Sequence, residues 1–146
     1  MAENLAQTIT RIVDREAPRL RFLKPQDVST PRAPGKWSRK EVLGHLIDSA
    51  ANNHQRFVRA QLAADLAFPG YAQNDWVRAQ GYAEEEWGLV VDTWCALNRH
   101  LAHVVGRIPA DKLQTPCRIG ESAPMTLEAL VADYIRHVEH HLEQLA

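Results

Sequence analysis

The sequence predicts an all-α protein, a four-helix bundle formed by a single domain over residues 1–146. Four segments repeat apolar residues at intervals of three and four, which is the spacing of a helix with one buried face. Most prolines and glycines lie in the connectors between these segments. A chain of this length buries about two-thirds of its unfolded surface, which is enough for one core.

The first two helices are predicted at residues 4–16 and 39–64. The first is expected to end before Pro18, because a proline inside a helix removes a backbone hydrogen bond. The second begins with a capping box, in which the Ser38 hydroxyl accepts from the amide of Glu41 and the Glu41 carboxylate accepts from the amide of Ser38. The proline-rich segment between the two helices predicts a loop.

The last two helices are predicted at residues 83–108 and from the N-cap residue Thr126 to the C-terminus. Before the third helix, residues 71–80 predict a short, partly helical excursion of the kind that covers a pocket. Residues 115–125 carry Gly120 between two prolines, which favours a small hairpin before the last helix.

Composition excludes several classes of protein. Hydrophobic residues make up 45% and charged residues 24% of the chain, which is typical of a globular protein. A net charge of -1 gives no basic field for nucleic acid. The chain shows no leader pattern and no apolar run of about 18 residues, so we expect a cytoplasmic protein without a membrane partner. Cys95 and Cys117 lack metal-binding spacing and are expected to be reduced thiols.

A pair of histidines in the fourth helix has the spacing of a chelate. His137 and His141 are four residues apart, so their side chains point within about 40° of each other beside the apolar stripe. His140 and His137 form a second allowed pair, at a spacing of three. A solvated helix face would give the same pattern, so spacing alone leaves the metal site and its second ligand open.

His45 in the second helix is the best candidate for a third ligand, because aliphatic residues flank it and zinc-type catalytic sites use three protein ligands and an open position. Asp48, on the same face, would either accept a ring N–H from a ligand histidine or bind the metal's water. Asn52, Arg56 and Arg59 continue a polar stripe that would be costly to bury without a partner.

The remaining histidines and both cysteines carry weaker signals. His54 lies about 180° around the second helix from His45. His100 and His103 flank the apolar stripe of the third helix and are expected at the surface. Neither cysteine has an adjacent base, which disfavours a thiol nucleophile from the protein.

Four segments carry a further signal: Gly35-Lys36-Trp37-Ser38, Gly44-His45-Leu46-Ile47-Asp48-Ser49, Pro69-Gly70-Tyr71-Ala72-Gln73-Asn74-Asp75-Trp76 and His137-Val138-Glu139-His140-His141-Leu142-Glu143-Gln144-Leu145. In this order they resemble the DinB-like (damage-inducible-type) family of metal-binding bundles. The resemblance extends from the first helix to the last and implies an up-down-down-up bundle with a divalent ion, zinc or nickel, bound by His45, His137 and His141. A connector that resembles the family's pocket mouth adds Tyr71 and Trp76 as substrate-binding candidates.

The resemblance implies several functions. The family includes S-transferases that use low-molecular-weight thiols such as bacillithiol or mycothiol, and this is the leading expectation, with Asn52 and Arg56 holding polar groups of the thiol co-substrate. The alternatives are a metal-dependent hydrolase with Asp48 as base and a noncatalytic metal-binding stress protein. The expected partner is a small molecule, together with a second copy of the chain in a homodimer. The large apolar residues Phe57, Trp87 and Trp94 belong either to that interface or to the core.

Overall fold

Four long helices form the body of the protein in a computed structural model that describes residues 2–146. Short helices, 3₁₀ turns at Tyr82–Glu84 and Ala110–Gln114, and short strands connect them. In chain order the helices and strands are α1 (Ala2–Phe22), α2 (Pro25–Ser29), α3 (Arg39–Gln61), β1 (Leu66–Phe68), α4 (Gln73–Gln80), α5 (Trp87–Gly106), β2 (Pro116–Ile119), β3 (Met125–Thr126) and α6 (Leu127–Glu143).

The long helices pack in a closed ring. Helix α1 packs against α5 and α6, and α3 packs against the same two helices, so α1 and α3 occupy opposite corners. Their apolar faces meet in one core, which includes Val13, Leu46, Trp94 and Val131. Burying side chains of this kind contributes about 1.5–3 kcal/mol each. The predicted all-α four-helix bundle is confirmed.

Helix α1 continues six residues beyond its predicted end, so the predicted stop at Pro18 is wrong. Pro18 is exposed and has no N–H to donate to the carbonyl of Asp14, four residues earlier. Asp14 is also exposed, so water can hydrogen-bond to that carbonyl. The turn after it is held by tertiary contacts, since Leu20 is fully buried and its carbonyl accepts a 2.9 Å hydrogen bond from the Trp87 indole. Packing here outweighs the local preference of proline.

Two of the predicted helix starts are confirmed by their caps, whereas α5 begins at Trp87, four residues after its predicted start at residue 83. Ser38 Oγ accepts from the amide of Glu41 at 3.2 Å, and the amide of Ser38 donates to Glu41 Oε1 at 3.1 Å. The Thr126 hydroxyl accepts from the amide of Ala129 at 3.1 Å. Both caps satisfy amides that would otherwise lack partners at a helix N-terminus, and they fix where α3 and α6 begin.

The predicted hairpin is part of a three-stranded sheet. Strand β2 pairs antiparallel with β3, with Cys117 opposite Met125. Its other edge pairs in parallel with β1, with Leu66 opposite Cys117. The strand β1 was not predicted, because three residues are too few to show an alternating pattern. This sheet ties the connector after α3 to the one before α6.

The large apolar residues that were candidates for a dimer interface belong to the core. Phe57, Trp87 and Trp94 are all buried. Both cysteines are free and buried, as reduced thiols. Within residues 2–146, no helix combines the length and the apolar character that crossing a bilayer requires.

Gly44 allows the turn after α4 to pack directly on α3. The ring of Tyr82 lies so close that a Cβ atom at Gly44 would come within 2.2 Å of Tyr82 Cδ2. Tyr82 then reaches Asp48 Oδ1 with its hydroxyl, at 2.8 Å. The ammonium group of Lys40 also holds this turn, because it donates to the carbonyls of Ala83 and Glu85.

Replacing Gly44 with alanine should therefore push the Tyr82 ring off α3. We expect a loss of about 1–3 kcal/mol in the free energy of unfolding, as for other overpacked sites. Urea denaturation would measure it. Gly70→Ala is the control, since a Cβ atom there would meet nothing within 4 Å. Equal stability of the two variants would contradict the close contact.

Candidate metal centre and adjoining cavity

Helices α3 and α6 bring three histidines together. His45 Nε2 lies 3.2 Å from His137 Nε2. One ring nitrogen from each of His45, His137 and His141 lies within 4.8 Å of the other two. The spacing of four residues in α6 places two rings on one face, and the packing of α6 on α3 places the third ring opposite them. The structure thus assembles the three residues that the sequence proposed as ligands.

Burial keeps two of these imidazoles neutral. His45 is 1% exposed, and burial followed by the neighbouring His137 and His141 lowers its pKa to about 4. The pKa of His137 is also lowered to about 4, by burial first and then by His141. A neutral imidazole offers a lone pair to a metal, so at neutral pH neither ring must lose a proton before it binds one.

The outer contacts of the rings orient them. His141 Nδ1 lies 3.0 Å from Gln144 Oε1 and donates to it, which leaves Nε2 as the nitrogen available to a metal. Ser49 Oγ lies 3.5 Å from His137 Nδ1. The indole of Trp37 packs on His45 with the ring centroids 5.0 Å apart, and His45 Nδ1 has no hydrogen-bond partner within residues 2–146.

This donor set fits a divalent cation. Imidazole nitrogens suit zinc, nickel, copper and iron, and three of them leave coordination positions open for water or substrate. His140 is exposed on α6 and is outside the group of three, although its ring centroid lies 5.2 Å from that of His141. The geometry therefore favours His141 over His140 as the partner of His137.

A cavity of about 420 Å³ opens beside the three histidines. His137 borders it, whereas the buried ring of His45 does not. Its walls come from α3, from the connector before α4, from the turn between β2 and β3, and from α6. The lining residues are Ser49, Asn53, Arg56, Gly70, Tyr71, Gln73, Ile119, Gly120, Glu121, Ser122, Leu130, Asp133, Tyr134 and His137.

Asp48 lies apart from this cavity. It is 1% exposed, and its Oδ1 accepts from Gln80 Nε2 at 2.6 Å and from the hydroxyl of Tyr82 at 2.8 Å. Burial raises its pKa, and these two hydrogen bonds work in the opposite direction. Asp48 accepts no ring N–H from the three histidines, so the first of its two predicted roles is not seen in the structure.

Two of the four predicted substrate-binding residues line the cavity and two do not. Arg56 and Tyr71 line it, and burial raises the pKa of Tyr71 to about 12, so its phenol stays protonated. Asn52 is buried, donates to the carbonyl of Asp48 at 2.9 Å and does not face the cavity. Trp76 is 39% exposed and supports Tyr71 from outside, with ring centroids 5.0 Å apart.

Sequence reasoning missed several residues around the histidines. Trp37 covers His45, a contact that the motif around Trp37 did not indicate. Asn53, not Asn52, lines the cavity. Asp133 also lines the cavity. Its position four residues before His137 could have indicated this, because residues at that spacing share a helix face. Its carboxylate pairs with Arg136 at 3.0 Å.

The other histidines and the cysteines remain outside the site. His100 and His103 are exposed as predicted, but His54 from α3 meets His100 with ring centroids 5.3 Å apart, a contact that the sequence did not indicate. Burial raises the pKa of both thiols, Cys95 and Cys117, which opposes thiolate formation.

The lowered pKa values predict an acid-sensitive metal-free protein. Between the ordinary histidine pKa of 6.5 and about 4, the unfolded chain binds protons at His45 and His137 that the folded protein does not. The free energy of unfolding should therefore be highest above pH 6.5 and should fall as the pH is lowered through this range. Urea midpoints between those two pH values measure the slope.

Single substitutions can show which histidine causes this pH dependence of the free energy of unfolding. His45→Gln should reduce it, whereas His140→Gln, on the exposed side of the same cluster, should leave it near that of the parent protein. An undiminished slope in His45→Gln would show that this ring is not held neutral by burial.

Comparison with known proteins identifies the fold and the family of this chain. No curated protein matches the sequence. Among solved structures, the chain is similar to YfiT from Bacillus subtilis, described as a probable metal-dependent hydrolase with an unusual four-helix bundle topology. The TM-score is 0.85 at 17% identity, and the match covers 96% of this chain and 81% of the other. This likeness shows the fold. The family model of the DinB superfamily matches residues 8–145, and the chain therefore belongs to the DinB superfamily.

Proposed function

We propose that the protein is a metal-dependent enzyme for small molecules, and that its reaction is the transfer of a low-molecular-weight thiol to an electrophile. The observation that carries the proposal is the group of three imidazoles, His45 buried and the other two half-buried, of which His137 borders the cavity. A divalent ion there, with zinc or nickel as the first candidates, would act as a Lewis acid and lower the pKa of a bound thiol or water.

The surroundings of the histidines favour a thiol over water as the nucleophile. Metal-dependent hydrolases commonly use a carboxylate base for the metal's water, yet within residues 2–146 no carboxylate hydrogen-bonds to the three rings. Asp48 is held by Gln80 and Tyr82, and Asp133 is paired with Arg136. A thiol is far more acidic than water, so a thiol whose pKa is lowered by the ion can release its proton to solvent without a protein base.

The chain's own residues would perform three tasks in such a transfer. His45, His137 and His141 hold the ion, with His141 oriented by Gln144. Tyr71 and Ile119 wall the cavity, and Ser49 and Asn53 offer polar groups to the substrate along α3. The two protein thiols are buried in the core and leave the nucleophile to the co-substrate.

A second candidate is a metal-dependent hydrolase. YfiT, which shares the fold, is described as a probable hydrolase, and Asp133 places a carboxylate on the cavity wall one turn before His137. To act as the base, Asp133 would have to leave its pair with Arg136; the pair is exposed, and such pairs contribute only about 0–1 kcal/mol. Asp133 is thus better placed than Asp48 to act as the base.

We also propose that the protein forms a homodimer, through an interface other than the aromatic residues that the sequence suggested. The aromatic residues first considered for it are in the core, so the contact would use exposed apolar side chains such as Phe22, which is 87% exposed, and Leu89, which is 51% exposed. Sedimentation of the purified protein would decide this.

The thiol proposal predicts tight coupling between metal and thiol binding. Zinc- or nickel-loaded protein should bind bacillithiol, mycothiol or glutathione in calorimetry, and His141→Ala should lose most of its metal and its thiol binding. His140→Ala is the matched control and should retain both. Metal counts should be made in a His100→Gln background, because His54 and His100 form a surface pair of their own. Absence of thiol binding at millimolar concentrations would sink the proposal.

The hydrolase candidate makes a different prediction. Asp133→Asn should lower kcat for a hydrolysed ester by about 10²-fold or more, as loss of a general base does, with metal content unchanged. Asp48→Asn should change kcat much less and instead reduce stability through its contact with Tyr82. If Asp48→Asn lowered kcat far more than Asp133→Asn, Asp48 and not Asp133 would be the base.

A further inference from the structure

Arg56 is a buried cation without an anion. It is 8% exposed, and within residues 2–146 its guanidinium takes part in no ion pair and no hydrogen bond, with Nε fully enclosed. Burial accordingly lowers its pKa. Burying a charge without a partner is costly, and in proteins such groups are nearly always paired. The absence of an anionic partner within residues 2–146 therefore points to an anion from outside the protein.

The position of Arg56 relates it to the histidines. It follows His45 by eleven residues in α3, which places the two side chains within about 20° of each other and about 16 Å apart along the helix axis. Ser49 and Asn53 lie between them, and both line the same cavity as Arg56 and His137. The cavity therefore extends from the three histidines to the guanidinium.

The neighbours of Arg56 hold it in place and leave its donors free. Its guanidinium carbon lies 5.6 Å from the centroid of the Phe68 ring, a contact that satisfies no N–H group. Among the described residues that line the cavity, Arg56 is the one lysine or arginine. Of the two acidic residues in that lining, Asp133 already pairs with Arg136, and Glu121 is exposed on the turn after β2.

We propose that Arg56 binds a carboxylate of the substrate or of its thiol partner, at the end of the cavity remote from the histidines. A guanidinium presents parallel N–H groups that match the two oxygens of a carboxylate. The ligand class is then an elongated small molecule, with the reacting group at one end and an anion at the other. This inference rests on the proposed function for the chemistry at the histidine end.

The first arm of the test uses metal-free protein and the dicarboxylate glutarate. Glutarate should raise the melting temperature of the parent protein, and Arg56→Met should abolish the shift. Arg59→Met is the matched control, because Arg59 is exposed and also packs over Phe68, at 5.9 Å. Without glutarate, Arg56→Met should be as stable as the parent or more so, since it removes an unpaired buried charge.

The second arm uses cobalt-loaded protein, in which a sulfur ligand is visible in the absorption spectrum. Mercaptocarboxylates of increasing chain length are compared with mercaptoalcohols of the same length. The carboxylate should bind about tenfold or more tightly at the best length, as expected for a charged hydrogen bond. Arg56→Met should remove this advantage and leave the affinity for the alcohols unchanged.

The outcomes separate the two proposals. Equal glutarate shifts in the parent and Arg56→Met, or a clear loss of stability in Arg56→Met without any anion, would overturn the anion site. If no neutral thiol binds to any cobalt-loaded protein, the thiol-transfer proposal fails, and the glutarate arm still decides the role of Arg56.

Discussion

Three imidazole rings meet between α3 and α6 with few hydrogen-bond partners, and this contact constrains the rest of the structure. Water is excluded from His45, and the ring nitrogens that face one another are all potential acceptors when unprotonated. Such an arrangement is unfavourable by itself, and protonation does not relieve it, because charging His45 or His137 costs desolvation and repulsion. A divalent cation would convert it into a favourable one. Without a cation, α3 and α6 must be held together by other contacts, and the core that they share with α1 and α5 provides them.

Helix α3 serves two purposes on two of its sides. One side carries Ser49, Asn53 and Arg56 to the cavity and His45 to the group of three histidines beside it. The other packs against the turn that contains Tyr82, through Gly44 and the buried hydrogen bonds of Asp48. Asp48 thus fastens the connector whose earlier residues, including Tyr71, form a wall of the cavity. The carboxylate that the sequence suggested as a catalytic base therefore contacts this connector and does not line the cavity.

The sequence was most informative where periodicity and capping act locally. The long helices, the caps at Ser38 and Thr126 and the hairpin were predictable because each depends on neighbouring residues. Pro18 shows the limit of such reasoning, since the tertiary contacts of Leu20 and Trp87 keep α1 helical past it. Strand β1 was missed because its pairing partner lies about fifty residues away.

The candidate site was predictable in its ligands and less so in its surroundings. The spacing of His137 and His141 follows from helix geometry, but their meeting with His45 depends on how α6 packs against α3. Spacing could not separate Asn52 from Asn53, or show that Asp48 turns to Tyr82, because adjacent helix positions differ by about 100°. The unpaired state of Arg56 is a property of the whole fold and is not encoded in any local pattern.

X-ray absorption spectroscopy of the zinc-loaded protein tests the central claim most directly. We predict a first shell with three imidazole nitrogens, completed by water oxygen and free of protein sulfur, and we expect one sulfur to replace oxygen when a thiol is added. A shell with fewer than three imidazoles, or one closed by a fourth protein ligand that no thiol displaces, would contradict an open three-histidine centre.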